Sequence, residues 1–171
     1  EAIGEIEVDT AFGPFRMVCF DDHINRTVHL ALVRGRMDPE TPTLVRVHRQ
    51  ETLADVVGVQ HPRLGWPLHD AMRLIADHDH GVIVLLRHEE SPRDLMRVFK
   101  MLSDARDDVA ARRAETMDLR TIGTGAQILR ALGIRRMRVL SAPKNMHGLS
   151  GFGLEVVEYV TDGRDQDPGH G

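Results

Sequence analysis

Cysteine is almost missing from this sequence: its 171 residues include one, Cys19, inside the apolar run MVCF. A single cysteine excludes an internal disulfide and any multi-thiolate zinc site. It reads as a small buried core residue, since no base stands beside it to activate a thiol. Aromatic residues are scarce at 4%, so aliphatic side chains must build the core. No apolar run approaches the roughly 20 residues that span a bilayer, and nothing at the start reads as a signal peptide. There is no basic excess either: 22 Lys and Arg face 26 Asp and Glu, a formal charge of -4. A nucleic-acid partner is therefore not expected, although local arginine clusters can still hold a phosphate. These absences together fit a reducing, cytoplasmic setting. The first residue is Glu1 and not Met, which suggests a fragment or a processed chain.

What is present is ordinary soluble-protein composition, 42% hydrophobic and 28% charged, at a length suited to one domain. The segments IGEIEV (3–8), FRMVCF (15–20), TVHLALVRG (27–35) and TLVRVHR (43–49) alternate or run apolar between turn residues. They predict a meander of four strands. In PLHDAMRLIADHD (67–79), Leu68, Ala71, Met72 and Ile75 recur at helical spacing. GVIVLLRH (81–88) is a continuous apolar run, the mark of a strand covered on both faces. From Ser91 to Glu115 a helix is expected, with Ser91 as N-cap, Pro92 in the first turn and an apolar stripe of Leu95, Val98, Phe99 and Leu102. Its Asp- and Arg-rich second half reads as a solvated helix face or a mobile loop. TGAQILRALG (124–133) predicts a helix stopped by Gly133. RMRVLSA (136–142) and LEVVEYV (154–160) predict strands, and residues 161–171 a disordered tail. The sum is a mixed, β-rich α/β domain over residues 1–160, with helices packed on the sheet.

Three blocks in this order resemble GTP cyclohydrolase II: TPTLVRVHRQETLADVVG, GVIVLLRHEE and the long block from Asp118 to Val160 that begins DLRTIGTGAQIL. The resemblance spans roughly residues 6–160 and implies that family's fold. The family opens the imidazole ring of GTP, releasing formate and pyrophosphate, at the start of riboflavin synthesis. It binds zinc through three cysteines in a pattern of the type C-T-G-D-x-x-x-S-x-R-C-D-C-G, and the metal activates the attacking water. By register, the three ligand positions fall on Glu51, Pro62 and Leu64. Proline and leucine cannot ligate a metal, so no metal or other cofactor is expected. Asp55 and Gly65 are retained, so the loop has kept its length and lost its ligands. Among the ten histidines, a substitute set of Glu51, His48 and His61 is a minor alternative, and His78 and His80 form only an H-x-H pair.

The resemblance also implies a nucleotide pocket. Arg46, Val47 and His48 match the family's nucleotide-contacting segment, where an arginine at a strand end can fork onto phosphate; a surface salt bridge explains Arg46 equally well. Asp118 and Arg120 match a catalytic D-x-R, with the aspartate accepting a proton and the arginine supporting the α-phosphate. The tyrosine usually found two residues on is Ile122 here. Gly123, Thr124 and Gly125 are expected to form a tight turn feeding a helix, or an anion cradle at its start. Of the family's R-Q-E-G-R, Arg87 and Glu89 match, while Glu90 sets an acid where a triphosphate would lie. Ser141 and Lys144 stand near the family's T-N-N-P turn.

The resulting expectation is a cyclohydrolase-like domain that has lost its reaction. It would be fused to dihydroxybutanone phosphate synthase in a bifunctional chain, homodimeric by resemblance, and structural, regulatory or sensing in role. A nucleotide or flavin-related small molecule is the expected ligand. The alternative is a still active hydrolase on a nucleotide or flavin precursor that uses Asp118 and Arg120.

Overall fold

A computed structural model describes residues 1–104, 119–142 and 149–161. The expectations placed on Asp118, Lys144, segment 105–115 and most of the tail lie outside these residues. Seven strands form one sheet: β1 (Ala2–Thr10), β2 (Gly13–Asp22), β3 (Thr27–Arg34), β4 (Thr43–Arg49), β5 (Gly81–Leu86), β6 (Arg136–Leu140) and β7 (Glu155–Val160). Their spatial order is β1-β2-β3-β5-β4-β6-β7. The helices are α1 (Thr52–Asp55), α2 (Leu68–His78), α3 (Pro92–Ser103) and α4 (Leu119–Ala131), with 3-10 turns at Pro62–Leu64 and Ser150–Phe152. This is the mixed, β-rich α/β architecture that the sequence predicts.

The four-strand meander needs correction. β1, β2 and β3 pair antiparallel in sequence order, but β4 leaves them and lies parallel between β5 and β6. The reason is burial. Thr43, Leu44, Val45 and Arg46 are all buried, and a strand covered on both faces belongs at the centre of a sheet. β5 joins the two regions, antiparallel to β3 and parallel to β4.

The twofold alternation of strand side chains divides the core into two layers. Val45, Val82, Val84, Leu86 and Val139 pack with Ala126, Ile128 and Leu129 of α4 on one face. Leu44, Ile83 and Leu140 pack with Phe15 and with Ala71, Met72 and Ile75 of α2 on the other. Full burial of a side chain such as Ile75 contributes on the order of 2–3 kcal/mol. Gly81 permits the close approach of α2: a Cβ there would lie 2.9 Å from both Ile75 Cγ1 and the Leu44 carbonyl oxygen.

Three other expectations change. Cys19 is half-buried, because it alternates with the inward-facing Val18 and Phe20. α3 starts as predicted, with a capping box between Ser91 and Asp94, yet it buries no residue. Its stripe is only partly covered: Leu95, Val98 and Leu102 are half-buried and Phe99 is 65% exposed. α4 begins at Leu119, so Gly123, Thr124 and Gly125 lie inside the helix and form neither a feeding turn nor an N-terminal anion cradle. A Cβ on Gly125 would come within 3.3 Å of Val47 Cγ1, so this glycine serves close packing of α4 on β4.

Candidate functional site

Parallel strands of an open sheet tend to carry their ligands beyond the strands' carboxyl ends. Here β4 ends at Arg49 and β5 at Leu86, side by side. Beyond them, on the α4 face, lies an open cavity of about 960 Å3. Arg26, Arg49, Arg87 and Arg120 line it, against two carboxylates, Asp21 and Glu89. Thr121 and Thr124 of α4 complete one wall, and His29 and Asn25 belong to the opposite side.

The β2–β3 hairpin that contributes Arg26 is pinned by Asp22. Its Oδ1 accepts the backbone N–H groups of Ile24 and Asn25 at 3.2 and 3.1 Å, and its Oδ2 accepts from the Asn25 side chain at 2.8 Å. His29 Nε2 meets the same Oδ2 at 2.9 Å. His29 Nδ1 accepts the Arg87 N–H at 3.0 Å, which requires the proton to sit on Nε2, where it is donated to Asp22. Burial pushes the Asp22 carboxyl up, but the hydrogen bonds from Asn25 and His29 outweigh it and hold the pKa at about 2. His29 and Asp22 thus act as a fixed brace between the hairpin and the end of β5. Sequence reading missed both; the available signal was a histidine on the inward-facing parity of β3, shared with Ala31 and Val33.

Arg46 belongs to a different arrangement. It lies within β4, buried, and is not at a strand end. Its Nη1 donates to the Leu140 carbonyl at 3.2 Å and its Nη2 to His48 Nδ1 at 3.4 Å. His48 Nε2 then donates to Asp55 at 2.7 Å, and the other Asp55 oxygen accepts the Glu51 N–H at 2.8 Å. Desolvation brings the Arg46 pKa down to about 10, although Asp55 and Glu51 oppose the fall. Burial raises the Asp55 carboxyl, but the bonds from His48 and Glu51 more than offset this and hold it below its ordinary value. Arg46, Val47 and Ser141 border a narrow cavity of about 40 Å3 under α4. The expected site residues are therefore split: Arg87, Glu89 and Arg120 share the large cavity, while Arg46, Val47 and Ser141 surround the narrow one.

The loop after β4 is held by hydrogen bonds. His61 Nδ1 accepts the Arg63 N–H at 3.2 Å, Arg63 Nη1 donates to the Met101 carbonyl at 3.0 Å, and Trp66 Nε1 to the Val160 carbonyl at 2.9 Å. Gly65 has φ 68°, and a Cβ there would stand 3.1 Å from Arg46 Nη2. Glu51 is a poor metal ligand in this setting. Burial raises its pKa, with Asp55 and Glu90 adding to the rise against the pull of Arg49. Pro62 and Leu64 offer no donor side chain. Among the described residues no group of three His, Cys, Asp or Glu is placed to hold a metal. The substitute set of Glu51, His48 and His61 is thereby corrected: His48 and His61 are committed to Asp55 and to the Arg63 N–H. The residues present do not fit the three-thiolate zinc site. Glu90 also departs from expectation. It does not line the large cavity; its carboxylate accepts the Thr52 N–H at 3.0 Å, at the start of α1.

With this geometry in hand, comparison with known proteins is informative. The family profile for GTP cyclohydrolase II matches residues 1–161. The chain is 41% identical over 160 residues to a 3,4-dihydroxy-2-butanone 4-phosphate synthase of Pseudomonas aeruginosa, covering 94% of this chain and 43% of that protein. It is 38% identical over 162 residues to the riboflavin biosynthesis protein RibBA of Parabacteroides distasonis, covering 91% and 40%. The crystal structure of RibBX, a two-domain 3,4-dihydroxy-2-butanone 4-phosphate synthase from A. baumannii, matches with a TM-score of 0.64 at 29% identity, over 95% of this chain and 40% of that one. The chain thus spans about two fifths of the length of these relatives. No described helix is long and apolar enough to cross a membrane. From the match over nearly its whole length, the chain belongs to the GTP cyclohydrolase II family.

Proposed function

We propose that this domain does not open GTP. It serves instead as a zinc-independent, ligand-sensing partner of a dihydroxybutanone phosphate synthase domain in riboflavin biosynthesis, in the cytoplasm and as a homodimer. The observation that carries the reading is the contrast between two parts of one fold. At the ligand positions, Pro62 and Leu64 offer no donor, and burial favours the neutral acid at Glu51. Beyond the ends of β4 and β5, a large arginine-lined cavity is retained. Without a metal-activated water the ring carbon has no nucleophile at neutral pH, whereas the cavity still offers charge and volume suited to a small anionic ligand.

The test is to incubate the purified chain with GTP and zinc, follow formate, and measure bound metal. No formate and a zinc stoichiometry near zero are expected. One zinc per chain together with formate release would overturn the reading. The sensing role is tested on the two-domain protein, by comparing synthase activity with and without this domain.

A second reading is supported by the place of Arg120, which lines the large cavity. In it, Asp118 and Arg120 still support hydrolysis of a nucleotide or flavin precursor. Turnover abolished by Asp118→Asn would favour it; absence of turnover across GTP and pathway intermediates would remove it.

A further inference from the structure

We propose that one face of β1, β2, β3 and β5 is a self-association surface, on which a second copy of this chain packs through Met17, Cys19, Leu30 and Leu85. This deepens the proposed homodimer and rests on that part of the reading. Two cross-strand rows build the face. Register aligns Ile6, Met17, Leu32 and Ile83 in one row, and Gly4, Cys19, Leu30 and Leu85 in the next. Strand alternation points both rows to the same side of the sheet, opposite Val18 and Ala31. Among the described residues, the helices that cover the sheet pack on β4 and β5, and none packs to a comparable degree on β1, β2 or β3. Ile83 is accordingly buried in the layer that contains α2. Met17, Cys19, Leu30 and Leu85 are only half-buried and belong to neither layer of the core. Ile6, at the rim, is 59% exposed.

The chemistry of the face decides its occupant. An antiparallel sheet open to water on one side alternates apolar and polar residues. Here the open side stays apolar: no charged residue stands in the row from Ile6 to Ile83 or in the row from Gly4 to Leu85. Such a face is built to be covered. It carries no charge and no strong hydrogen-bonding side chain with which to select an unlike partner. A twofold axis, in contrast, brings it onto itself without like-charge repulsion, in the manner of two stacked sheets. Its size fits as well. Four strands and two rows span about 19 Å by about 14 Å at usual strand spacings. That area is roughly a third of the ~800 Å2 that each partner contributes to a standard interface, enough for its apolar centre inside a polar rim. Association through it is therefore reversible and depends on concentration.

Analytical ultracentrifugation of the intact chain over a range of concentrations tests this, and a reversible dimer is expected. Leu30→Lys should weaken the dimer about a hundredfold or more, since the change acts twice across the twofold and each buried leucine contributes about a tenfold factor. Leu30→Thr keeps the strand propensity and should weaken it about tenfold, so the surface stays testable if the lysine variant misfolds. Phe99→Lys, on the exposed stripe of α3, should leave the dimer unchanged. Cys19 is the single cysteine and reports without any substitution: its labelling by a maleimide should be lost as dimer replaces monomer. A dimer that both Leu30 variants retain, with Cys19 labelling independent of concentration, overturns the inference but leaves a homodimer standing. Dissociation by Phe99→Lys while Leu30→Lys stays dimeric also overturns it and moves the interface to α3. A monomer at every concentration removes this surface and the homodimer together. The zinc-independent reading rests on formate and bound metal and is untouched by any of these results.

Discussion

The ring of His29 accepts the backbone N–H of Arg87 at 3.0 Å. Its other nitrogen donates to Asp22 at 2.9 Å, so one buried imidazole ties the β2–β3 hairpin to the end of β5. Removing it leaves a backbone donor without its partner and withdraws one hydrogen bond from a carboxylate. His29→Ala is expected to cost about 2 kcal/mol and to lower the thermal midpoint by roughly 4–8 °C. Chemical and thermal melts check this. A change below about 0.5 kcal/mol would mean that the Asn25 and Ile24 bonds suffice to hold Asp22.

The depressed Asp22 pKa predicts a specific acid limb. The carboxyl falls from its ordinary 3.8 to about 2 on folding. Its stabilisation is therefore complete above about pH 5 and is lost as the pH falls toward 2, where the folded state must also take up the proton. Asp55, likewise lowered, acts in the same direction. Stability measured by urea titration should hold from pH 7 down to about pH 5 as far as these groups are concerned, then decline steeply. Asp22→Asn should be less stable at pH 7 and show a flatter acid limb. Parallel curves for the two proteins would contradict the assignment.

Glu51 titrates in the opposite sense. Burial, Asp55 and Glu90 raise its pKa against the pull of Arg49 and Arg46. The folded state therefore favours the protonated acid, and the ionised form weakens the fold at neutral pH. Glu51→Gln keeps the shape and removes the charge, so it should raise the thermal midpoint at pH 7 by roughly 1–2 °C. The gain should shrink as the pH falls through the raised folded value toward the ordinary carboxylate range, and vanish below that range, where the side chain is neutral in both folded and unfolded states. If Glu51 instead held a metal, the same substitution would destabilise the protein, and a chelator would reproduce its effect.

Much of this fold can be read from local pattern. β4 has the predicted limits, Thr43–Arg49, because a β-branched run between a Pro-containing turn and a polar loop permits little else. Ser91 and Pro92 mark the start of α3 through capping chemistry that is local by nature. What escapes is whatever depends on distant partners. The departure of β4 from the meander depends on β5 and β6, which come later in the chain. Likewise, Phe99 falls on an amphipathic stripe and no described layer covers it. At the site, Arg46 and Arg87 look alike as arginines in matching motifs. Only the sheet parity turns one toward the Leu140 carbonyl and leaves the other lining the cavity. The brace of His29 and Asp22 unites residues seven apart with an amide 58 residues further on, a relation no short motif encodes.

The glycine that survives in the altered loop supplies a final test of what the loop is for. Gly65 combines φ 68° with an open side toward Arg46, whose Nη2 would stand 3.1 Å from an added Cβ. Its retention follows from packing against a buried guanidinium and needs no metal. Gly65→Ala should destabilise by about 1–2 kcal/mol, part from the left-handed backbone and part from displacing Arg46. The two parts separate in a double-mutant cycle with Arg46→Met, which itself should be costly because it strips partners from the Leu140 carbonyl and His48. In that background the alanine should lose only its backbone component, giving a coupling of at least ~0.5 kcal/mol. Strict additivity would show that the Gly65 loop is indifferent to Arg46. The hydrogen-bonded chain from Leu140 through Arg46 and His48 to Asp55 would then end there and not support the former metal loop.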